Sequence, residues 1–128
     1  MYILLVDDDV SFLLALSEHL TELGHHTILA QDGIRALREF EYSGPFDVVI
    51  TDMKMPYMSG IELLQAMRAD SITTPALLHS SELTGYIRDA TGRRQVNLDE
   101  VVDYFDFVTF HLKDTSFKYV EAFLDTLL

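Results

Sequence analysis

The hydrophobic period switches back and forth along this chain, and that alternation constrains the fold more than any other feature. Five short apolar runs read as strands: "YILLV" (2–6), "HTILA" (26–30), "FDVVIT" (46–51), "ALLHS" (76–80) and "FVTFH" (107–111). Helical periodicity fills the spaces between them. "SFLLALSEHLTEL" places Phe12, Leu13, Leu16, Leu20 and Leu23 on one face, and Gly24 follows as a stop. "GIRALREFEY", "IELLQAMRA" and "TSFKYVEAFLDTLL" read as helices too. So does the shorter "NLDEVVDYF", with a stripe of Leu98, Val101, Val102 and Phe105 and a capping-box pair in Asn97 and Glu100. Strands that are apolar throughout must be covered on both faces, which calls for a parallel sheet between helical layers. Right-handed crossovers then give an α/β, doubly wound, five-stranded parallel sheet with helices on both faces. No repeat, low-complexity tract or linker interrupts the pattern, so residues 1–128 are expected to form one domain.

In a sheet of this kind, ligands bind beyond the carboxyl ends of the strands. The first strand runs straight into Asp7, Asp8 and Asp9, three like charges that repel one another. The third ends at Asp52, the fourth at Ser80 and Ser81, and the fifth near Lys113. Crowded carboxylates disfavour each other's ionisation, and a hard divalent cation removes that conflict. Magnesium prefers oxygen ligands and takes one or two carboxylates together with a phosphate oxygen. An aspartate can also carry a phosphoryl group covalently. Phosphoryl transfer then needs its equatorial oxygens neutralised, here by a metal, a lysine and a hydroxyl.

Composition narrows the partners. The chain carries 21 acidic and 9 basic residues, a net charge of −12. Direct nucleic-acid binding is not expected, because phosphate neutralisation needs basic clusters. No apolar run approaches a membrane span and no signal-peptide pattern opens the chain, so a cytoplasmic location is expected. The absence of cysteine excludes disulfides and thiolate metal sites.

In order and spacing, "ILLVDDD", "FDVVITDMKMPYMSG", "PALLHSS" and "FHLKD" resemble the receiver domain of bacterial two-component response regulators. The resemblance runs along the whole chain and is weakest between Ser81 and Phe107. It implies a flavodoxin-like strand order of 2-1-3-4-5. It also implies a phosphorelay function in which Asp52 accepts a phosphoryl group from a histidine kinase or a phosphotransfer protein. Asp7 and Asp8 match the acidic pair that binds Mg2+, with Asp52 and the backbone carbonyl of Lys54 completing the protein ligands. Ser80 matches the switch hydroxyl, Lys113 the phosphate-binding lysine and Phe110 the switch aromatic. The response would appear on the surface formed by the fourth helix, the fifth strand and the last helix. Its partners would be the phosphodonor, a downstream output domain or protein, and a second copy of the chain. Such a domain is a signalling element that catalyses only its own phosphorylation and dephosphorylation.

Other expectations come from the residues themselves. Asp9 stands where the first helix needs an N-cap. Lys54 and Glu82 should rim the site, pair with each other and tune the lifetime of the phosphoryl group. His79 and His111 lie on neighbouring strands, and hydrogen-bonded imidazoles are favoured there over a metal pair. Residues 82–96 hold two glycines and no sustained period, so an extended mobile loop is expected, with Arg88, Arg93 and Arg94 serving its solubility. Ser80 and Lys113 stand 33 positions apart, longer than the family pattern. Aspartate follows Lys113 where receivers often have proline, so a trans bond is expected, with Asp114 capping a helix that begins near Thr115. Two other functions fit parts of the pattern. "DDDVS" suits a haloacid dehalogenase-like Mg2+ phosphatase using Asp7 as nucleophile and Asp9 as acid/base, although "DMKMPYMSG" has no role there. A receiver used only as a docking surface, without phosphorylation, is the other.

Overall fold

A computed structural model of the chain describes residues 1–82, 84–97, 100 and 105–128. Their elements, in order, are β1 (Tyr2–Val6), α1 (Val10–Glu22), β2 (His26–Ala30), α2 (Gly33–Tyr42), β3 (Val48–Asp52), α3 (Gly60–Ala69), β4 (Ala76–Ser80), β5 (Thr84–Asp89), β6 (Gly92–Asn97), β7 (Val108–Leu112) and α4 (Lys118–Asp125). Five strands form a parallel sheet in the order β2-β1-β3-β4-β7, the expected flavodoxin-like topology with β7 as the fifth strand.

Successive side chains of a strand point to opposite faces, and here each face has its own core. Leu4, Val6, Val49, Ala76 and Leu78 pack with residues of α2 and α3, among them Ala36, Ile61, Leu64 and Met67. Ile3, Leu5, Val48, Ile50 and Leu77 pack instead with Leu13, Leu16 and Leu20 of α1 and Val120, Phe123 and Leu124 of α4. Every residue of β3 and β4 is buried. This is why these strands carry no polar alternation to read.

The sequence expectation fails between residues 84 and 97. In place of an extended loop, β5 and β6 form an antiparallel hairpin from Thr84↔Asn97 to Asp89↔Gly92. Its turn is closed by the Asp89 carboxylate, which accepts from Thr91 N at 2.8 Å, and by Gly92 at φ +108°. Ile87 and Val96 bury themselves in the α2/α3-side core. The arginines are not free solubilising charges either. Glu62 of α3 accepts from Arg93 Nη2 at 2.9 Å and Nε at 3.1 Å and lies 3.4 Å from Arg88 Nε, while Arg94 Nε pairs with Asp89 at 2.6 Å. Gln65 bonds both backbone groups of Arg88, and Ser59 Oγ donates to Tyr86 O. The hairpin is thus clamped along the N-terminal half of α3. Its backbone amides should accordingly exchange with solvent as slowly as those of α3; exchange at open-loop rates across 86–95 would contradict this.

Two further expectations change. The short helix expected over 97–105 falls largely on residues 98–99 and 101–104, outside the described residues. The last helix starts at Lys118 rather than near Thr115, and its N-cap is Phe117 in the left-handed region, with no side-chain cap bond. Asp114 caps only the turn ahead of it, accepting from Ser116 N at 2.8 Å. The helix start is displaced because Phe117 is buried against Phe12 and His19, which sets where the chain can turn. The Lys113–Asp114 bond is trans, as expected; among the described residues only Gly44–Pro45 is cis.

Candidate functional site

The same parity that builds the core builds the site. Asp7 continues the face of Ile3 and Leu5, Asp52 that of Val48 and Ile50, His79 that of Leu77, and Lys113 that of His111. The register pairs Asp52 with His79 and His79 with His111 across the sheet. Lys113 N extends the ladder by donating to Ser80 O at 2.8 Å. Four polar side chains therefore leave the sheet on one face, at the carboxyl ends of four adjacent strands.

Asp7, Asp8 and Asp52 each offer a carboxylate oxygen within 4.8 Å of the others, and they are the one such acid or histidine group among the described residues. Asp7 and Asp52 are buried while Asp8 is exposed, so the cluster opens to solvent at Asp8. Lys113 Nζ lies 2.8 Å from Asp7 Oδ2 and 3.4 Å from Asp52 Oδ1, and 4.4 Å from the centre of the Phe12 ring. Asp7 Oδ1 accepts from Asp9 N and Asp52 Oδ1 from Met53 N, both at 2.9 Å. Asp9 is not one of the group and caps α1, accepting from Phe12 N.

Burial pushes the Asp52 carboxyl up to about 6, and the neighbouring Asp7 charge adds to it; Lys113 and the Met53 N–H pull the other way. Burial also raises Asp7, again against the pull of Lys113. Burial alone would lower Lys113, but its contacts with Asp7 and Asp52 outweigh that and hold the ammonium above its ordinary value. Two carboxylates and one ammonium leave an uncompensated negative charge in a largely buried place. That surplus, with oxygen donors only, suits a hard divalent cation.

The rim holds the remaining residues. Ser80 is buried at the end of β4, and its Oγ accepts from Glu82 N at 3.1 Å. Lys54 and Glu82 form an exposed ion pair, as their spacing suggested. Phe110 is partly buried on β7, on the opposite face from Lys113, against the α2/α3-side core. The loop after β3 is fixed by Gly60, whose N donates to Met53 O at 2.8 Å. A Cβ on Gly60 would lie 2.2 Å from Asp52 O. Gly60→Ala should therefore cost on the order of 1–3 kcal/mol and shift the Asp52 backbone, which denaturation and amide chemical shifts would detect; an unchanged midpoint would refute it.

Some contacts here join residues that no spacing links. Glu62 is buried within the Ser59–Glu62 capping box. Burial would raise its carboxyl, but Arg93 and the Ser59 N–H outweigh that and hold it low. The S-x-x-E spacing of that box is a signal in the sequence; its arginine partners, far along the chain, are not. The buried His79 is hydrogen-bonded to Tyr119 Oη at 2.9 Å, in line with the hydrogen-bonded imidazole expected there; its tyrosine partner on the last helix is marked by no spacing.

A parallel 2-1-3-4-5 sheet with an acidic cluster and a lysine at its carboxyl edge defines a flavodoxin-like α/β domain of the receiver class. Residues 3–101 match the response regulator receiver domain family, and the chain belongs to it. The match ends ahead of β7 and Lys113. Chemotaxis protein CheY of Pseudomonas aeruginosa is 45% identical over 71 residues, 55% of this chain and 56% of that protein. The regulator of RpoS of Escherichia coli K12 is 40% identical over 81 residues, 62% of this chain and 23% of that protein. The matches thus span about half of the first relative and about a quarter of the second. Among solved structures, the response regulator TrrA of Thermotoga maritima, in complex with Mg2+ and BeF, is 28% identical, with a TM-score of 0.75 over 99% of this chain and 98% of that one. A receiver protein of Pseudomonas putida superposes with a TM-score of 0.80 at 21% identity, over 98% and 95% of the two chains, and shows the fold alone. No helix among the described residues is long and apolar enough to cross a membrane.

Proposed function

We propose that this domain takes a phosphoryl group onto Asp52 from the phosphohistidine of a kinase or phosphotransfer protein, as the phosphoacceptor of a phosphorelay. The observation that carries this reading is the buried Asp52 carboxylate, grouped with Asp7 and Asp8 and faced by Lys113. Asp7, Asp8, Asp52 and the Lys54 carbonyl would hold Mg2+, which supplies charge neutralisation for a phosphoryl oxygen. In the transfer, the bond between phosphorus and the donor imidazole nitrogen breaks as a bond to an Asp52 oxygen forms. The electron pair leaves with the imidazole. Lys113 would neutralise a second oxygen, and the Ser80 hydroxyl would bond a third.

Ser80 and Phe110 are the proposed switch pair. Moving the Ser80 hydroxyl toward the phosphoryl group releases Glu82 N and frees space beside β7 for the Phe110 ring. The response would then reach the β7 and α4 surface, where an output domain, an output protein or a second copy docks. The phosphatase alternative would need Asp9 as its acid/base, and Asp9 accepts instead from Phe12 N at the start of α1.

Acetyl phosphate and Mg2+ should add the mass of one phosphate to the intact protein. No gain under saturating donor would refute the reading and leave the phosphorylation-independent docking role. Lifetime tuning is separately testable. The Lys54–Glu82 pair is exposed and worth only ~0–1 kcal/mol, but its residues follow Asp52 and Ser80 closely in the chain. Lys54→Ala should speed loss of the phosphoryl group to water several-fold with little change in stability; an unchanged rate would remove this residue from the tuning role.

A further inference from the structure

A line of contacts runs from the acidic cluster into α4. The His79 side chain is 1% exposed. Its Nδ1 lies 2.9 Å from Tyr119 Oη and its Nε2 3.8 Å from Asp7 Oδ2. The edge of the Phe12 ring packs against the imidazole, with centroids 5.3 Å apart. The Tyr119 ring is itself held by α4 and by His111, which stacks on it at 4.5 Å and 11°.

These positions decide the imidazole tautomer. A neutral imidazole carries its proton on one nitrogen only. With the proton on Nδ1, the Nε2 lone pair would face the Asp7 carboxylate, an unfavourable contact in a buried place. With the proton on Nε2, the N–H points toward Asp7 and Tyr119 Oη donates to Nδ1. Tyrosine can supply that proton, since burial holds its hydroxyl above the usual range. Burial, with Lys113 and His111 nearby, disfavours a second proton on the ring.

We propose that His79 is a positioning residue for the metal-binding carboxylate of Asp7, with Tyr119 fixing its Nε2–H tautomer from α4. This rests on the reading of Asp7 as a Mg2+ ligand. Groups that orient a ligand from behind typically change metal affinity by about 10–100-fold when removed. Neither side chain is among the carboxylates that would hold the metal, and the closest approach of the imidazole to one of them is to Asp7 Oδ2. Because Tyr119 belongs to α4, the geometry also ties the place of that helix to the aim of Asp7.

The test measures Mg2+ affinity by calorimetry in the wild type, Tyr119→Phe, His79→Leu and His79→Gln, with nitrogen-15 NMR of the imidazole in the wild type and Tyr119→Phe. The wild type should show the Nε2–H tautomer, and Tyr119→Phe a mixture. Mg2+ binding should weaken about tenfold in His79→Leu and by a smaller factor in Tyr119→Phe, where part of the population keeps the Nε2–H tautomer. His79→Gln, which keeps an N–H donor, should recover most of it. The two apolar variants suit a buried site, and their thermal midpoints without metal show that they are folded. An Nδ1–H tautomer in the wild type, or equal Mg2+ affinity across the folded variants, overturns the positioning role and leaves the metal site standing. A wild type that binds no Mg2+ overturns the metal assignment itself and the inference with it.

Discussion

Asp52→Asn should abolish the one-phosphate mass gain and, without metal, make the protein more stable at neutral pH. The first effect follows from chemistry, since an amide oxygen at this position cannot form the acyl phosphate. The second follows from burial. In the folded protein the Asp52 carboxyl sits at about 6, against an ordinary 3.8. The folded state therefore holds the proton more tightly than the unfolded chain. That stabilising contribution is complete below the ordinary value and is lost as the pH rises through about 6. Above that, keeping the carboxylate ionised costs on the order of 2–3 kcal/mol. Asparagine removes the charge and retains an oxygen for Met53 N–H. Urea denaturation of metal-free protein at pH 4 and pH 8 should show a gain for the variant at pH 8 that shrinks at pH 4. A variant phosphorylated as well as the wild type would displace the phosphoacceptor assignment. Equal stabilities at pH 8 would instead show that the Asp52 charge is already compensated.

The sheet and the acidic edge are legible in the sequence for one physical reason. Both depend on strands whose apolar runs are unbroken and whose ends carry charge. Once "YILLV", "DVVIT" and "ALLHS" are strands, the two-residue period places Asp7, Asp52 and His79 on one face without further information. The hairpin is not legible in that way. Its strands bury only Gly85, Ile87 and Val96, so no clean apolar alternation marks them. What holds them is distant in sequence: Glu62, Gln65 and Ser59 on or beside α3, and Met53, whose Sδ would lie 2.3 Å from a Cβ on Gly85. The turn "DATG" is a usable local signal, but a turn alone does not show that two polar strands will pair. The misplaced start of α4 has the same origin. Asp114 is a good cap by type, and the burial of Phe117, a tertiary effect, decides instead.

Lys113→Met should destabilise the metal-free protein by about 3 kcal/mol at pH 8 and by much less at pH 4. The ammonium, 2.8 Å from Asp7 Oδ2 and 3.4 Å from Asp52 Oδ1, is the nearest positive charge to two buried carboxylates. Methionine keeps an apolar stem of similar length, so packing is largely retained and the charge is what is lost. Without it, both carboxyls rise further above the ordinary value, because each meets the other's charge unscreened. The folded state then loses stability progressively as the pH climbs through those raised values. At pH 4 the proton supplies the compensation and the penalty shrinks. The contact of the ammonium with the Phe12 ring, worth ~0.5–2 kcal/mol, is lost at both pH values and sets the floor. A loss equal at pH 4 and pH 8 would therefore assign the lysine's contribution to that ring and not to the carboxylates. Mg2+ supplies the second test. In the wild type the ammonium competes with a cation for Asp7 and Asp52; in Lys113→Met it does not. Saturating Mg2+ should thus raise the melting temperature of the variant more than that of the wild type. Acetyl phosphate should still modify Asp52, but with one phosphoryl oxygen left unneutralised. The change this produces in β7 and α4 amide signals should be smaller than in the wild type. A variant stabilised by Mg2+ no more than the wild type would mean that the lysine and the metal do not share the same oxygens.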